Sequence, residues 1–292
     1  MSEVRSPTVR RRELGTLLRA LRNDRGMTVD QVAEHLLCSP SKVSRMETGQ
    51  RGATARDIRD LCDLYGVAGK SERDHLMELA REGKRQGWWQ PHELDFATYV
   101  GLEEATTAIK CFSCTIVMGL LQTPEYARAM HERGIDEFDP GRIDELVEVR
   151  LQRQQILRRE PWSLHWVMDE SVLRRVVGGP GVMATQLQRL LELAKSPNVK
   201  IQVIPYTTGS HPAMDSNFTV LEFDGSTSDV VYVEGLVGWL YLERGSDLDR
   251  YGKVFDRLSD LALSPQESSE MIADIATAYS EASVSVCESG GA

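Results

Sequence analysis

Over the first eighty or so positions the apolar residues recur at helical spacing in short blocks. Leu14, Leu17, Leu18 and Leu21 form one stripe across Arg10–Arg25, punctuated by Arg19, Arg22 and Arg25 and closed by Asn23-Asp24-Arg25-Gly26. Val32, Ala33, Leu36, Val43 and Met46 fit the facing sides of two short helices joined by a tight turn. Thr28 caps the first of these, with Gln31 completing a capping box, and Ser39 caps the second, with Pro40 at the first helical position. Ile58, Leu61, Cys62 and Leu64 predict a helix over Ala55–Tyr65 that ends at Gly66. Leu76, Met77, Leu79 and Ala80 predict another over Ser71–Glu82, capped by Ser71 and ended by Gly83.

The periodicity then breaks. Two glycines and a proline in the run from Gly83 to Pro91 mark a boundary, giving a head of residues 1–85 and a linker of 86–98. The adjacent Trp88 and Trp89 are too apolar to stand exposed, and the reading packs them against the second domain or a partner subunit. Residues 99–283 read as a mixed domain. Helical patterns cover Tyr99–Ile109, Pro124–Arg133, Ile143–Arg159, Val182–Ser196, Tyr251–Ala262 and Pro265–Ser280. Strand patterns cover Ser163–Met168, Val199–Pro205, Phe218–Phe223, Val230–Glu234 and Gly238–Glu243, the last three forming an antiparallel meander. The Ser/Gly-rich residues 284–292 read as a disordered tail. The fold class is therefore α+β: an N-terminal five-helix bundle, then a mixed helical domain with a mainly antiparallel sheet.

With Val43 and Met46 turned inward, the second short helix projects Ser41, Lys42, Ser44 and Arg45 outward, donors suited to phosphates and guanine edges in a major groove. Thr28, Val29, Pro40, Gln50 and Arg51 flank them and complete the candidate DNA contacts, with Arg22 from the preceding helix. On the residues Thr28-x-x-Gln31-x-Ala33, Ser39-Pro40-Ser41-Lys42-Val43-Ser44-Arg45 and Glu47-x-Gly49, the stretch from about 10 to 83 resembles the Cro/C1-type (XRE-family) helix-turn-helix domain. That resemblance makes Ser39–Thr48 the recognition helix and implies a homodimer on a near-palindromic double-stranded operator. It also implies that Arg22 pairs with Glu47, a structural role that weighs against direct base reading. Leu37 departs from the pattern, standing where the family usually has glycine, so the turn is either redrawn or strained.

Charge sharpens the division. The net charge is −10, yet residues 1–85 hold 17 Lys+Arg against 13 Asp+Glu, or +4, leaving −14 for residues 86–292. Positive potential confined to the head suits phosphate binding there and nowhere else. Five cysteines, odd in number and set in apolar patterns, argue against a disulfide framework and for a reduced compartment. No signal-peptide pattern opens the chain, and no apolar run approaches the roughly 20 residues that cross a bilayer. The expectation is a cytoplasmic protein with no membrane contact.

The second half carries motifs of its own. Gly119-Leu120-Leu121-Gln122-Thr123-Pro124-Glu125-Tyr126-Ala127-Arg128, Arg150-x-x-Arg153-Gln154 and Met168-Asp169-Glu170-x-x-Leu173-Arg174 are similar to signatures of one actinobacterial regulator group. So are Val203-Ile204-Pro205-x-x-x-Gly209-x-His211 and Tyr232-Val233-Glu234. In that group an XRE-type head is fused to a C-terminal domain of uncharacterised role; the resemblance implies an antitoxin-type or developmental regulator encoded beside a small companion protein. Met118 departs from the group, which usually has proline there.

Gln122, Arg150, Arg153, Glu170, His211 and Glu234 are the candidate effector or partner contacts. Thr123-Pro124-Glu125 reads as a helix start, and Arg150, Arg153 and Gln154 lie within about a turn of one another. Asp169 and Glu170 are neighbours and point apart, which does not make an acid/base pair. His211 has no triad or zinc spacing around it, and Cys111-Phe-Ser-Cys114 reads as buried structure rather than redox or metal chemistry. Neither catalysis, metal nor cofactor is expected. Two functions remain: a sequence-specific transcription regulator whose second domain dimerises and senses, or an antitoxin-like protein whose acidic domain sequesters a small basic partner and whose DNA binding is autoregulatory.

Overall fold

The computed structural model describes residues 6–134, 139–225 and 227–289, and the chain divides into two compact units that meet between residues 105 and 106. In the first, α1 (Pro7–Asp24), α2 (Val29–His35), α3 (Pro40–Glu47), α4 (Ala55–Leu64) and α5 (Lys70–Glu82) follow the sequence reading to within three residues at each end. Four of the five starts are set by side chains; α5 instead begins at Lys70 behind Gly69, with no side-chain cap, so the expected Ser71 cap is not formed. Thr28 forms the full capping box with Gln31, Ser39 accepts from Lys42 N ahead of Pro40, and Thr54 and Asp57 make a second capping box. Leu14, Leu18, Val32, Val43, Met46, Ile58, Leu61, Leu76 and Leu79 meet in one core.

The first unit does not end at residue 85. Trp89, only 1% exposed, lies against Gly87 and against Gly101 of a sixth helix, α6 (Ala97–Glu103), which packs on α1. The linker expected over residues 86–98 is instead part of this unit, because an indole of that size gains more from burial in its own domain than from waiting for a partner. A Cβ at Gly101 would fall within 3 Å of both Trp89 and Thr8, so the helix can approach only where it lacks a side chain.

The second unit is built on a six-stranded sheet of order β3-β2-β1-β4-β5-β6: β1 (Ala108–Ser113), β2 (Ser163–Asp169), β3 (Val199–Ile204), β4 (Phe218–Glu222), β5 (Val230–Gly235) and β6 (Gly238–Leu242). β1, β2 and β3 run parallel, while β4, β5 and β6 continue from β1 as an antiparallel meander, so the sheet is mixed within an α+β fold. The crossover from β1 to β2 carries α7 (Pro124–Glu132) and α8 (Pro140–Arg153); that from β2 to β3 carries α9 (Ser171–Arg174) and α10 (Pro180–Leu193). After β6 come α11 (Gly245–Leu261) and α12 (Pro265–Ser289). Phe112, Val167, Ile204, Phe218 and Val231 from the sheet close over Phe255 and Leu258 of α11.

Four elements differ from the sequence reading; one is α11, which starts at Gly245 rather than Tyr251. The helix expected over Tyr99–Ile109 stops at Glu103, and residues 108–113 form the central strand β1; a strand flanked by neighbours on both sides loses the alternation that would reveal it. The helix expected over Ile143–Arg159 ends at Arg153 and tightens into a 3-10 turn over Gln154–Arg158. The tail expected to be disordered is helical as far as Ser289, since Ile272, Ile275 and Ala276 anchor α12 and no glycine or proline interrupts it before Gly290. Residues 290–292 lie outside the described residues.

Replacing Trp89 by alanine in the full chain is expected to cost about 3–5 kcal/mol of first-unit stability. Chemical denaturation checks it; a linker tryptophan would shift the transition hardly at all.

Candidate DNA-binding interface

The recognition segment is held from below by α1. Gly15 faces the carbonyls of Met46 and Glu47 so closely that a Cβ would sit 2.6 Å from each. About two turns further along α1, the Arg22 guanidinium forks onto the Glu47 carboxylate, Nε to Oε1 at 2.6 Å and Nη2 to Oε2 at 2.9 Å. Its remaining nitrogen, Nη1, donates to the Met27 carbonyl at 2.8 Å. The Glu47 side chain is 5% exposed and that of Arg22 12%, so this is a buried pair fixing the end of α3 to α1 and to the start of the α2 segment. The same hydrogen bonds raise the Arg22 pKa above its ordinary value, with burial opposing.

On the opposite side α3 is braced by α4. Lys42 Nζ lies 2.7 Å from Asp57 Oδ1, while the Asp57 Oδ2 accepts from Thr54. Burial tends to raise the Asp57 pKa, but hydrogen bonds from Lys42 and Thr54 outweigh it and leave the carboxyl below its ordinary value.

Between α2 and α3 the chain reverses through a closed hydrogen-bond pair, Cys38 N to Ala33 O at 2.9 Å and Leu37 N to Glu34 O at 3.1 Å. This turn needs a left-handed residue, and Leu37 supplies it at φ 51° with its side chain 91% exposed. The strained alternative read from the sequence is the one the chain adopts: a leucine occupies the glycine geometry and gains no burial in exchange.

What remains on the outer surface of α3 is Ser41, Ser44 and Arg45, all exposed, with Gln50 and Arg51 exposed just beyond it. The Arg45 side chain lies back along the helix, Nε 3.3 Å from the Ser41 carbonyl, and the Arg51 N–H returns to the Arg45 carbonyl at 3.0 Å. Thr28 and Pro40 are exposed at the two helix starts, and Val29 is half-buried. Of the sequence-derived candidates, Arg22 and Lys42 are thus committed to carboxylates of the fold and Val29 packs against its core, while Thr28, Pro40, Ser41, Ser44, Arg45, Gln50 and Arg51 are exposed. Two supporting residues escaped the sequence reading. A glycine inside a leucine stripe was the signal for Gly15, and Thr54-x-x-Asp57 was the signal for the brace.

The six candidates of the second unit fall in three places. Gln122 is 1% exposed, takes a hydrogen bond from Arg150 Nη1 and donates to the Val117 carbonyl at 2.7 Å; Gln154 Nε2 donates to the Gln122 carbonyl at 2.7 Å, and the Arg153 guanidinium lies beside Gly119. Together they fasten the 117–123 segment to α8, and Gln186 completes the fastening by accepting from Thr123 N and donating to Leu121 O. Glu170, also buried, takes Arg174 on one oxygen and the Tyr206 N–H on the other, whereas Asp169 turns the opposite way to Ser171 N and His211. The His211 side chain is 3% exposed, with Nε2 3.5 Å from Asp169 Oδ2 and its ring edge-on to Phe112. Glu234 stands exposed on β5.

Cys111 lies on β1 and Cys114 in the bend just beyond it; Thr219 meets the first and Asn217 the second. Burial and nearby Asp169 push the Cys114 thiol up. Among the described residues no group of three or more His, Cys, Asp or Glu could hold a metal ion, and no helix is long and apolar enough to cross a membrane.

The head therefore defines a helix-turn-helix DNA-binding regulator, and residues 13–76 match the helix-turn-helix domain family. Residues 96–274 match a second family, described as a domain of unknown function (DUF5753); that match covers more than half of the chain, which belongs to this family. The match begins just before α6, so that helix is counted with the family domain although it packs on α1. No curated protein and no solved structure matches the chain.

Leu37→Gly is expected to raise the stability of the head by up to about 1 kcal/mol through release of left-handed strain, read as a higher melting temperature. Acidification acts on the second unit. Burial, reinforced by Arg150, lowers the His131 pKa from 6.5 to about 4, so the unfolded chain takes up a proton that the folded chain refuses. Stability contributed by neutral His131 is whole above pH 6.5 and is lost as the pH falls towards 4; His131→Gln should flatten that part of the stability–pH curve.

Proposed function

We propose that the chain is a sequence-specific transcription regulator of the Cro/C1 (XRE) type, bound as a homodimer to a near-palindromic operator. The observation that carries it is the outer face of α3: Ser41, Ser44 and Arg45 stand exposed on a helix clamped from two sides by the Arg22–Glu47 and Lys42–Asp57 pairs. A helix so fixed can present side chains to base edges without first being ordered. In this reading Arg45 contacts bases, Ser41, Ser44, Gln50, Arg51 and the start of α2 at Thr28 meet the backbone, and Arg22 and Lys42 position the helix. The +4 balance of residues 1–85 supports phosphate contact by the head alone. The protein works in the cytoplasm, where its operator is.

In the same proposal the second domain acts by binding, as the dimerisation and sensing part. Its candidate acids and amides, Glu170 and Gln122 among them, are spent on hydrogen bonds within the fold, and the Cys114 thiol is held protonated; both favour a binding role over an enzymatic one. A second reading is favoured by one observation, the −14 balance of residues 86–292. An acidic surface of that size suits a small basic companion protein, with DNA binding serving autoregulation, as in antitoxin-type members of the actinobacterial group.

Selection of bound genomic fragments by the full chain supplies the operator. On that operator Arg45→Ala is expected to weaken binding by about 1–3 kcal/mol and to relax preference at one base position per half-site. Fluorescence anisotropy on the matched and mismatched sites measures both; unchanged affinity and preference would remove α3 from the groove.

A further inference from the structure

A cleft of about 470 Å³ opens in the second unit where the end of α8, the 3-10 turn after it, the last turns of α10 and the start of β3 converge. Its two helical walls repeat one spacing. Leu151, Gln155 and Arg158 stand four and three residues apart along one wall, and Arg189, Leu193 and Ser196 do the same along the other, which keeps each set on one side of its segment. Leu157 and Val199 add to the apolar lining. Among the described residues the lining includes two arginines and no Asp or Glu.

The walls are held by the fold. Asn198 Nδ2 donates to the Leu157 carbonyl at 3.0 Å, tying the 3-10 turn to the start of β3, and the Val199 N–H donates to the Ser196 carbonyl at 3.1 Å. Gln154 Nε2 fixes the same turn from its other side by donating to the Gln122 carbonyl at 2.7 Å. The polar side chains of the lining are not engaged in this way. Arg158 is exposed, and among the described residues no hydrogen bond or ion pair reaches its guanidinium. Arg189 has the Glu192 carboxylate at 3.7 Å, beyond hydrogen-bond length. The Gln155 amide and the Ser196 hydroxyl make no hydrogen bond among the described residues.

Two guanidiniums in one cleft repel each other until an anion joins them, and each presents a planar fork that matches a carboxylate. The four apolar side chains beside them favour an apolar body, and the volume is that of a small-molecule site. Residues 86–292 carry a balance of −14, so the surrounding surface draws in no anions and selection of one falls to Arg158 and Arg189. We infer that this cleft binds a small organic acid, an aliphatic or aromatic body ending in one carboxylate. Arg158 and Arg189 hold the carboxylate, Gln155 and Ser196 supply further donors, and Leu151, Leu157, Leu193 and Val199 surround the body. The site lies just beyond Arg150 and Arg153, the effector candidates that the fold uses to fasten residues 117–123. It gives a ligand class to the sensing role proposed for the second domain, and rests on that reading only for the effect on DNA.

Isothermal titration of the full chain with naphthaleneacetate and with decanoate is expected to show one saturable site per chain. Uncharged naphthaleneacetamide should bind about tenfold more weakly than its acid, since hydrogen bonds to a charged group are worth that factor. Arg158→Ala, at an exposed position, should weaken the acids by about tenfold with the thermal transition unchanged, and Arg189→Gln by a similar factor. Arg257→Ala, which removes an exposed cation of α11 outside the cleft, should change nothing. No saturable binding of either acid at about 1 mM, equal affinity for acid and amide, or affinity untouched by both arginine changes would overturn the assignment. Anisotropy on the selected operator judges the regulator reading apart from it. An acid that fills the cleft and leaves operator affinity unchanged would remove the sensing role and keep the site, whereas a chain that selects its operator but binds neither acid would sink the site alone.

Discussion

The head depends on how closely α1 approaches α3. At Gly15 there is no room for even a methyl group, and six residues later in the core stripe Leu21 gives way to Arg22, whose guanidinium holds the Glu47 carboxylate. One contact sets the distance between the helices and the other sets the rotation of α3 about its own axis. A buried fork of this kind gives little net stability, because desolvation of both ions offsets their attraction. Its directionality is what matters. Two parallel hydrogen bonds allow one orientation, and the outward aim of Ser41, Ser44 and Arg45 follows from it.

The first unit was legible in the sequence because its information is local. Thr28, Ser39 and Thr54 start their helices by side-chain contacts three residues long, and the leucine stripe of α1 repeats at one period. Leu37 was legible as a conflict, and the structure retains it. What escaped was non-local. β1 is recognised only by its neighbours β2 and β4, since residues 108–113 mix lysine, cysteine and phenylalanine without regular alternation. The boundary was misplaced for a related reason: Trp89 finds Gly101 twelve residues away, and no spacing rule announces such a contact.

The candidate residues of the second unit show the same limit from another side. Gln122, Arg150 and Gln154 do come together, as their motifs suggested, but around a backbone segment that they hold in place. Glu170 likewise ties the end of β2 to the loop after β3. Polar residues in a recurring motif signal that a position is constrained; they do not say whether a ligand or the chain itself imposes the constraint. Only the hydrogen-bond partners separate the two.

The Lys42–Asp57 pair has a consequence for how this head senses salt. Affinity for a duplex falls with ionic strength in proportion to the counterions that bound cations displace from it. Lys42 and Arg22 are already neutralised by carboxylates that the fold keeps beside them, so they bring almost no net charge to the phosphates. In the proposed reading the displacement would fall to Arg45 and Arg51. Under that proposal, a surface with fewer free cations than its composition suggests would bind non-specific DNA weakly and lose less of its operator affinity as salt rises. Internal pairing of basic residues thereby moves the balance from holding any duplex towards holding the right one.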